Sequence, residues 1–171
     1  MVVYKNIVYV ADRQNDRIKK FNLSWDPQGV FGSVGNNNGQ FNNPNGIAID
    51  TKNEIIYVAD TGNDRIQKFT LAWAYIGKFG SAGTANGEFN NPAAIEIDEK
   101  NGFVYVADTH NHRVQKFNLA GQYLGKIGTI TAGTNNSHFD YPRDIAIDNS
   151  GAVYIADTGN DRIQKFNSSL V

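Results

Sequence analysis

The chain has 171 residues, with 16 Lys and Arg against 17 Asp and Glu, so its formal charge of −1 supplies no bulk attraction to nucleic acid or an anionic membrane. The absence of cysteine excludes disulfides, thiolate metal sites and thiol nucleophiles, and leaves redox compartment and localisation unread. A composition that is 40% hydrophobic and 19% charged, with no apolar run near the roughly 20 residues of a spanning helix, reads as a soluble globular domain without a membrane span.

The start, Met1 to Asn6, has neither the basic flank nor the apolar run of a signal peptide. Val2 to Tyr4, followed by the tight turn Lys5-Asn6, predicts a shortened first strand. Tyr9 to Phe21 then opens a pattern that returns as Tyr57 to Phe69, Tyr105 to Phe117 and Tyr154 to Phe166. The spacing of Asp12, Asp60, Asp108 and Asp157 sets a period of about 48 residues, within the range of repeat architectures.

The second copy shows the unit in full. Gly46-Ile47-Ala48-Ile49-Asp50 alternates small and apolar residues before the polar turn Thr51 to Glu54, and predicts a strand a. Ile55 to Ala59 is rich in β-branched and aromatic residues and predicts a buried strand b. Asp60 to Asp64 predicts a tight turn, because Asp and Asn side chains bond nearby amides and tolerate left-handed backbone. Arg65 to Thr70 predicts strand c, with Arg65 and Gln67 outward and Ile66 inward. Ala74 to Gly80 predicts strand d.

The connection Ser81 to Asn91 closes on words that recur around Phe41, Phe89 and Phe139, each followed by a proline at Pro44, Pro92 or Pro142. A phenylalanine in a polar loop gains most by burial, so these rings are expected to anchor the connections between units. Proline suits the first position of strand a, where no ladder bond is donated.

Four antiparallel strands per period, without helical periodicity, is the form of a propeller blade. Pro44-Asn45-Gly46-Ile47-Ala48-Ile49-Asp50 and Tyr57 to Gln67 closely match the repeat of the NHL family, and the chain resembles that family over essentially its whole length. The resemblance implies an all-β propeller with blades at about 1-40, 41-88, 89-138 and 139-171, the last lacking its outer strand. The family's rings hold six blades, so three outcomes stay open: part of a longer propeller, a ring completed by self-association, or a small closed ring.

Asp12 with Arg17, Asp60 with Arg65, Asp108 with Arg113, and Asp157 with Arg162 invite a catalytic reading. Recurrence in every unit makes them structural instead: the Asp is expected to cap the b to c turn, and the Arg to pair with a carboxylate such as Asp50. The turn lacks the spaced carboxylates and terminal Glu of an EF-hand loop. His110, His112 and His138 show no convergent ligand set in the sequence, and no metal or cofactor is expected. His112 stands where the family repeat commonly has His and reads as structural.

With strands alternating in direction, the b to c turns and d to a connections should share one face. That face is expected to display Arg13, Gln14, Asn45, Ala93, His110, Tyr141, Arg143 and Asp144 near its centre. Sister copies differ at Arg13, His110 and Arg143, which suits a binding surface and equally neutral drift. Trp25 and Trp73, in the c to d turns, read as packing residues rather than interface anchors.

The expected function is therefore a non-enzymatic module that binds a protein, or a glycan or small ligand, through the loop face. Single-stranded RNA binding is the alternative, thinly supported by Arg13, Arg143 and His110 beside Asp140 and Asp144. A metal-dependent lyase, as on some related propellers, is a further alternative.

Overall fold

A computed structural model describes residues 1–170. Where β-branched and aromatic residues crowd the sequence, the chain forms four antiparallel sheets, each with its strands in chain order. The first is β1 (Val2–Tyr4), β2 (Ile7–Asp12), β3 (Arg17–Asn22) and β4 (Pro27–Phe31). The second is β5 (Pro44–Asp50), β6 (Ile55–Asp60), β7 (Arg65–Thr70) and β8 (Tyr75–Phe79). The third is β9 (Pro92–Asp98), β10 (Phe103–Asp108), β11 (Arg113–Asn118) and β12 (Tyr123–Gly128). The fourth stops at three strands, β13 (Pro142–Ile147), β14 (Val153–Asp157) and β15 (Arg162–Phe166). Among the described residues the chain is thus an all-β propeller of four blades, the last with three strands.

The b to c turns are tighter and more regular than a generic polar loop. Each contains one 3-10 turn, Arg13–Asn15, Thr61–Asn63, Thr109–Asn111 or Thr158–Asn160. Each then leaves through a left-handed residue, Asp16, Asp64, His112 or Asp161, with φ of 51°, 50°, 48° and 51°. Three of these exits are Asp, a residue that tolerates that conformation, and Oδ1 of Asp16 and of Asp64 accepts the N–H of Asn43 and of Asn91 in the following connection.

The blades pack face to face in chain order. Tyr9 and Ile18 of the first meet Ile47, Ile49, Ile56, Val58 and Phe69 of the second. Ala48, Tyr57, Ala59 and Ile66 of the second meet Ile95, Ile97, Val104, Val106 and Phe117 of the third. Ala94, Tyr105, Ala107 and Val114 of the third meet Ile145, Val153, Ile155 and Phe166 of the fourth. Among the described residues no such cluster joins the fourth blade to the first.

Phe41, Phe89 and Phe139 enter these junctions and are fully buried, as the sequence led us to expect. Phe41 meets Phe31 and Phe69 edge-on at 6.0 and 5.9 Å, and Phe89 lies 5.6 Å from Phe117. Each connection is therefore pinned by its own ring, a contact worth about 0.5–1.5 kcal/mol beyond area burial.

The two tryptophans differ. Trp73 stacks on Phe31 at 4.3 Å, so packing describes it well. Trp25 is 58% exposed, and its ring lies 5.6 Å from that of Phe21.

Inner strands β1, β5, β9 and β13 lie side by side and line a hollow of about 600 Å³ at the end bearing the a to b turns. At the opposite end a second hollow of about 310 Å³ opens between Asn45, Ala93 and Arg143. A Cβ on Gly46 would come within 2.9 Å of Ala93 O, so glycine there lets two inner strands approach.

Candidate functional site on the loop face

The loop face is held by a polar cluster that recurs in the second, third and fourth blades. In the second, Asp60 Oδ2 accepts from Arg65 Nε at 2.7 Å and from Gln67 Nε2 at 3.0 Å. Its Oδ1 accepts from Asn63 Nδ2 at 3.0 Å and from the backbone N–H of Asn42 at 2.8 Å. Arg65 spends its remaining donors on the connection, reaching Asn36 O, Asn37 O and Gln40 O at 2.7, 2.9 and 3.1 Å. Gln67 donates to Gln40 O at 2.7 Å and accepts from the N–H of Gly39 at 3.0 Å.

This arrangement corrects three expectations. Asp60 makes no side-chain capping bond to the backbone of its own turn, and its carboxylate goes to Asn63, Arg65, Gln67 and the N–H of Asn42 instead. Arg65 does not pair with Asp50: Asp50 turns to its own a to b turn and accepts from the N–H groups of Lys52 and Asn53. Arg65 and Gln67 are not outward in solvent either, being buried beneath the connection that arrives from the preceding blade. A guanidinium removed from water has to satisfy all its donors, and backbone carbonyls of the connection supply the acceptors.

Asp108 and Asp157 repeat the cluster with Arg113 and Arg162, at 2.6 and 2.7 Å. Burial acts to raise the Asp157 pKa, but donors from Asp140 N–H, Arg162, Asn160 and Gln164 prevail and hold it below the ordinary carboxylate value. In the first blade, among the described residues, Asp12 bonds Asn15, Arg17 and Lys19 and no connection. Its pKa falls to about 2, chiefly through Asn15 and Arg17.

The b to c turns and d to a connections do share a face. The N–H groups of Gly62, His110 and Gly159 donate to Asn42 O, Asn90 O and Asp140 O at 2.8, 3.0 and 2.7 Å. The residues singled out on that face fall into three places, however. Asn45, Arg143 and Asp144, with Ala93, line the 310 Å³ hollow at its centre. His110 and Tyr141 meet at the junction of the third and fourth blades. Arg13 and Gln14 line a separate hollow on the first blade with Lys19, Phe21 and Trp25.

At the third junction the Tyr141 ring, 41% exposed, stands edge-on to His110 at 5.5 Å and to His112 at 4.7 Å. His112 Nδ1 accepts the N–H of Tyr141 at 3.2 Å, the task that Asp16 and Asp64 perform for Asn43 and Asn91 at 2.7 Å. So His112 has the structural role read from the sequence and also forms one wall of an aromatic cluster. Asp140 Oδ1 lies 3.3 Å from the same Nδ1. His138 lies apart from this cluster, against Asn136 O and Gly133. Among the described residues no three His, Cys, Asp or Glu side chains converge to hold a metal ion.

One residue of the central hollow escaped the sequence reading. Glu96 lines both hollows from β9, and its carboxyl accepts no hydrogen bond among the described residues. Burial, with lesser contributions from Asp144 and Glu99, pushes its carboxyl up to about 7. The available signal was the word Ile95-Glu96-Ile97, where the sister strands carry Ala48 and Ala146 at the same register opposite Tyr57, Tyr105 and Tyr154.

Comparison with known proteins agrees with this geometry. The NHL repeat model matches residues 41–69, 89–117 and 139–166. A search of curated proteins finds no match. Among solved structures, a Bacteroides thetaiotaomicron protein of unknown function aligns over 95% of this chain and 44% of its own, at 21% identity and a TM-score of 0.74. A chain of a nidogen/laminin complex aligns over 96% of this chain and 57% of its own, at 19% identity and a TM-score of 0.71. Staphylococcus aureus virginiamycin B lyase aligns over 99% of this chain and 52% of its own, at 13% identity and a TM-score of 0.72. At these identities the likeness is one of fold, and the chain spans about half the length of each neighbour. The recurrent Asp, Asn, Arg and Gln cluster, the four blades and the matched repeats together place the chain in the NHL-repeat family.

Proposed function

We propose that this chain is a non-enzymatic, protein-binding module that engages its partner through the loop face, with Tyr141, His110 and His112 as the anchor. The observation that carries this is the exposed Tyr141 ring held edge-on to two imidazoles on the loop face. A large ring fixed by its neighbours loses little entropy on contact, which is why tyrosine is enriched at interface hot spots. The hydrogen-bonded cluster beneath keeps the loops in place, so a partner would meet a preformed surface. The structural neighbour from a nidogen/laminin complex supports a protein partner by analogy of fold. RNA binding fits less well, because Arg143 lies beside Asp144 and Glu96 in the central hollow and gives no phosphate-binding stripe.

The test is capture on immobilised chain, with wild type compared against Tyr141→Ala and His110→Ala. A protein retained by wild type and lost with both variants would support the reading. Equal retention by all three, or retention that vanishes only with unfolding, would reject it.

A further inference from the structure

The connections gripped by Arg65, Arg113 and Arg162 share one tight turn. The N–H groups of Gln40, Glu88 and His138 donate to Asn37 O, Ala85 O and Asn135 O, each at 3.1 Å. Between these ends stand Asn38-Gly39, Asn86-Gly87 and Asn136-Ser137, the second residue of each pair with φ of 79°, 84° and 65°. Asparagine followed by glycine is open to a spontaneous reaction, because glycine has no Cβ to shield its backbone nitrogen or to hinder rotation. Once hydroxide has taken the proton of that N–H, the nitrogen attacks the asparagine Cγ. A C–N bond forms, the amide group leaves as ammonia with a proton returned from water, and a cyclic imide remains. Water then opens the imide at either carbonyl, giving aspartate or isoaspartate.

The chain has four Asn-Gly steps, at Asn38, Asn45, Asn86 and Asn101. Two are tied down by their surroundings. Asn101 Nδ2 donates to Asp98 Oδ2 at 2.7 Å, and the N–H of Gly102 donates to Asp98 O at 2.8 Å. Asn45 lies within β5, and Gly46 is packed against the backbone of Ala93, Ala94 and Ile95. Asn38 and Asn86 are exposed, and their side chains make no hydrogen bond among the described residues. There the restraint falls on the glycine nitrogen. The N–H of Gly39 donates to Gln67 Oε1 at 3.0 Å, and that of Gly87 to Gln115 Oε1 at 2.9 Å. Both glutamines are fully buried. Their Nε2 donors fix the amide the right way round, reaching Gln40 O and Asp60 Oδ2 in one case and Glu88 O and Asp108 Oδ2 in the other.

We propose that Asn38 and Asn86 are the sites at which this chain deamidates, and that Gln67 and Gln115 guard them by holding the N–H of the following glycine. A carbonyl oxygen set on that N–H favours its protonated form, since the bare nitrogen would face a lone pair instead. The same bond fixes the peptide plane that has to turn for attack on Cγ. The product matters to the blade because isoaspartate adds a carbon to the main chain between two gripped points. Arg65 holds Asn37 O and Gln40 O on either side of Asn38, and Arg113 holds Ala85 O and Glu88 O on either side of Asn86. A longer path between fixed carbonyls works the connection loose from its clamp. The proposal stands whether or not the loop face binds a protein.

The experiment is incubation of the folded chain at mildly alkaline pH, with peptide mapping by mass spectrometry and enzymatic isoaspartate methylation at each of the four steps. Wild type is expected to convert at Asn38 and Asn86 ahead of Asn45 and Asn101. Gln115→Met should speed Asn86 by about tenfold, the worth of one hydrogen bond, and leave Asn38 at its wild-type rate. Gln67→Met should do the reverse, so each variant carries its own reference site. Glu88→Ala removes the acceptor of the Ala85 N–H and loosens the same turn without touching Gly87, and should leave Asn86 nearly as slow as in wild type. Wild type in urea, where no guard remains, should convert at Asn38 and Asn86 about tenfold faster than when folded, which decides the matter even where a glutamine variant fails the circular dichroism check of folding. Asn45 or Asn101 converting first overturns the proposal. So do equal rates at Asn38 and Asn86 in folded and urea-treated wild type, a folded glutamine variant that speeds both sites alike or neither, and a Glu88→Ala chain as fast at Asn86 as Gln115→Met.

Discussion

Asp108 Oδ2 lies 2.6 Å from Arg113 Nε, and neither side chain has any solvent exposure. The two residues face each other as the last pair of the β10–β11 hairpin, so the ion pair closes the turn and also carries the connection bonded to Arg113. In the first blade the equivalent Arg17 is 36% exposed at its side chain.

Removing one partner of a buried pair leaves the other charge without compensation. Arg113→Gln is expected to cost about 3–5 kcal/mol. Arg17→Gln, at the surface, should cost about 1 kcal/mol or less. Urea unfolding of the two variants side by side measures the difference, and equal costs would show that the connection contributes nothing through Arg113.

Gly46 faces the backbone of Ala93, Ala94 and Ile95 at 2.9–3.0 Å from where a Cβ would stand. Backbone cannot step aside as a flexible side chain can. Gly46→Ala should force the second and third inner strands apart and cost about 1–3 kcal/mol. A thermal melt checks this, and a neutral result would mean that the two strands are free to separate.

Trp73 presents the opposite balance. Its ring stacks on Phe31, but its Nε1 is buried without a hydrogen-bond partner among the described residues. Trp73→Phe removes an unsatisfied donor while keeping an aromatic ring, so its cost should fall well below the roughly 3–5 kcal/mol of Trp73→Ala. Denaturant midpoints of both variants decide it.

These sites show how far the sequence could be read. Blade order, strand identities and the burial of Phe41, Phe89 and Phe139 were legible because β-branched runs, turn residues and the period all agree. The partner of Arg65 was not, since its acceptors are carbonyls of Asn36, Asn37 and Gln40, and a carbonyl carries no sequence signature. The face shared by the turns and connections followed from strand alternation. The separation of Arg13 and Gln14 from Asn45, Arg143 and Asp144 did not, because it depends on where each blade sits around the inner strands. Glu96 was overlooked because a carboxylate between two isoleucines looks like the solvent side of a strand, whereas β9 turns it into the central hollow.

Glu96 gives a pH test. A carboxyl raised from 4.5 to about 7 in the folded chain destabilises the fold once ionised. That penalty is absent below the unfolded value of 4.5 and complete above about 7. Glu96→Gln should therefore melt higher than wild type at pH 8, and the gap should close as pH falls towards 4.5. A gap that is constant with pH would mean that Glu96 is no harder to ionise folded than unfolded.

The clamp that each blade places on its arriving connection grips main chain alone. Arg65 holds Asn36, Asn37 and Gln40, Arg113 holds Thr84, Ala85 and Glu88, and Arg162 holds Thr134, Asn135 and His138, always by the carbonyl oxygen. Gln40 Oε1 and Glu88 Oε2 still accept the N–H groups of Asn37 and Ala85, and Phe41, Phe89 and Phe139 bury their rings, but the side chains of Asn36, Asn37, Thr84, Ala85, Thr134 and Asn135 are released from the duty of holding their own loop. Mutation can rewrite them one at a time while the path of the chain stays put, which makes the connections the part of this propeller most open to acquiring a new recognition task.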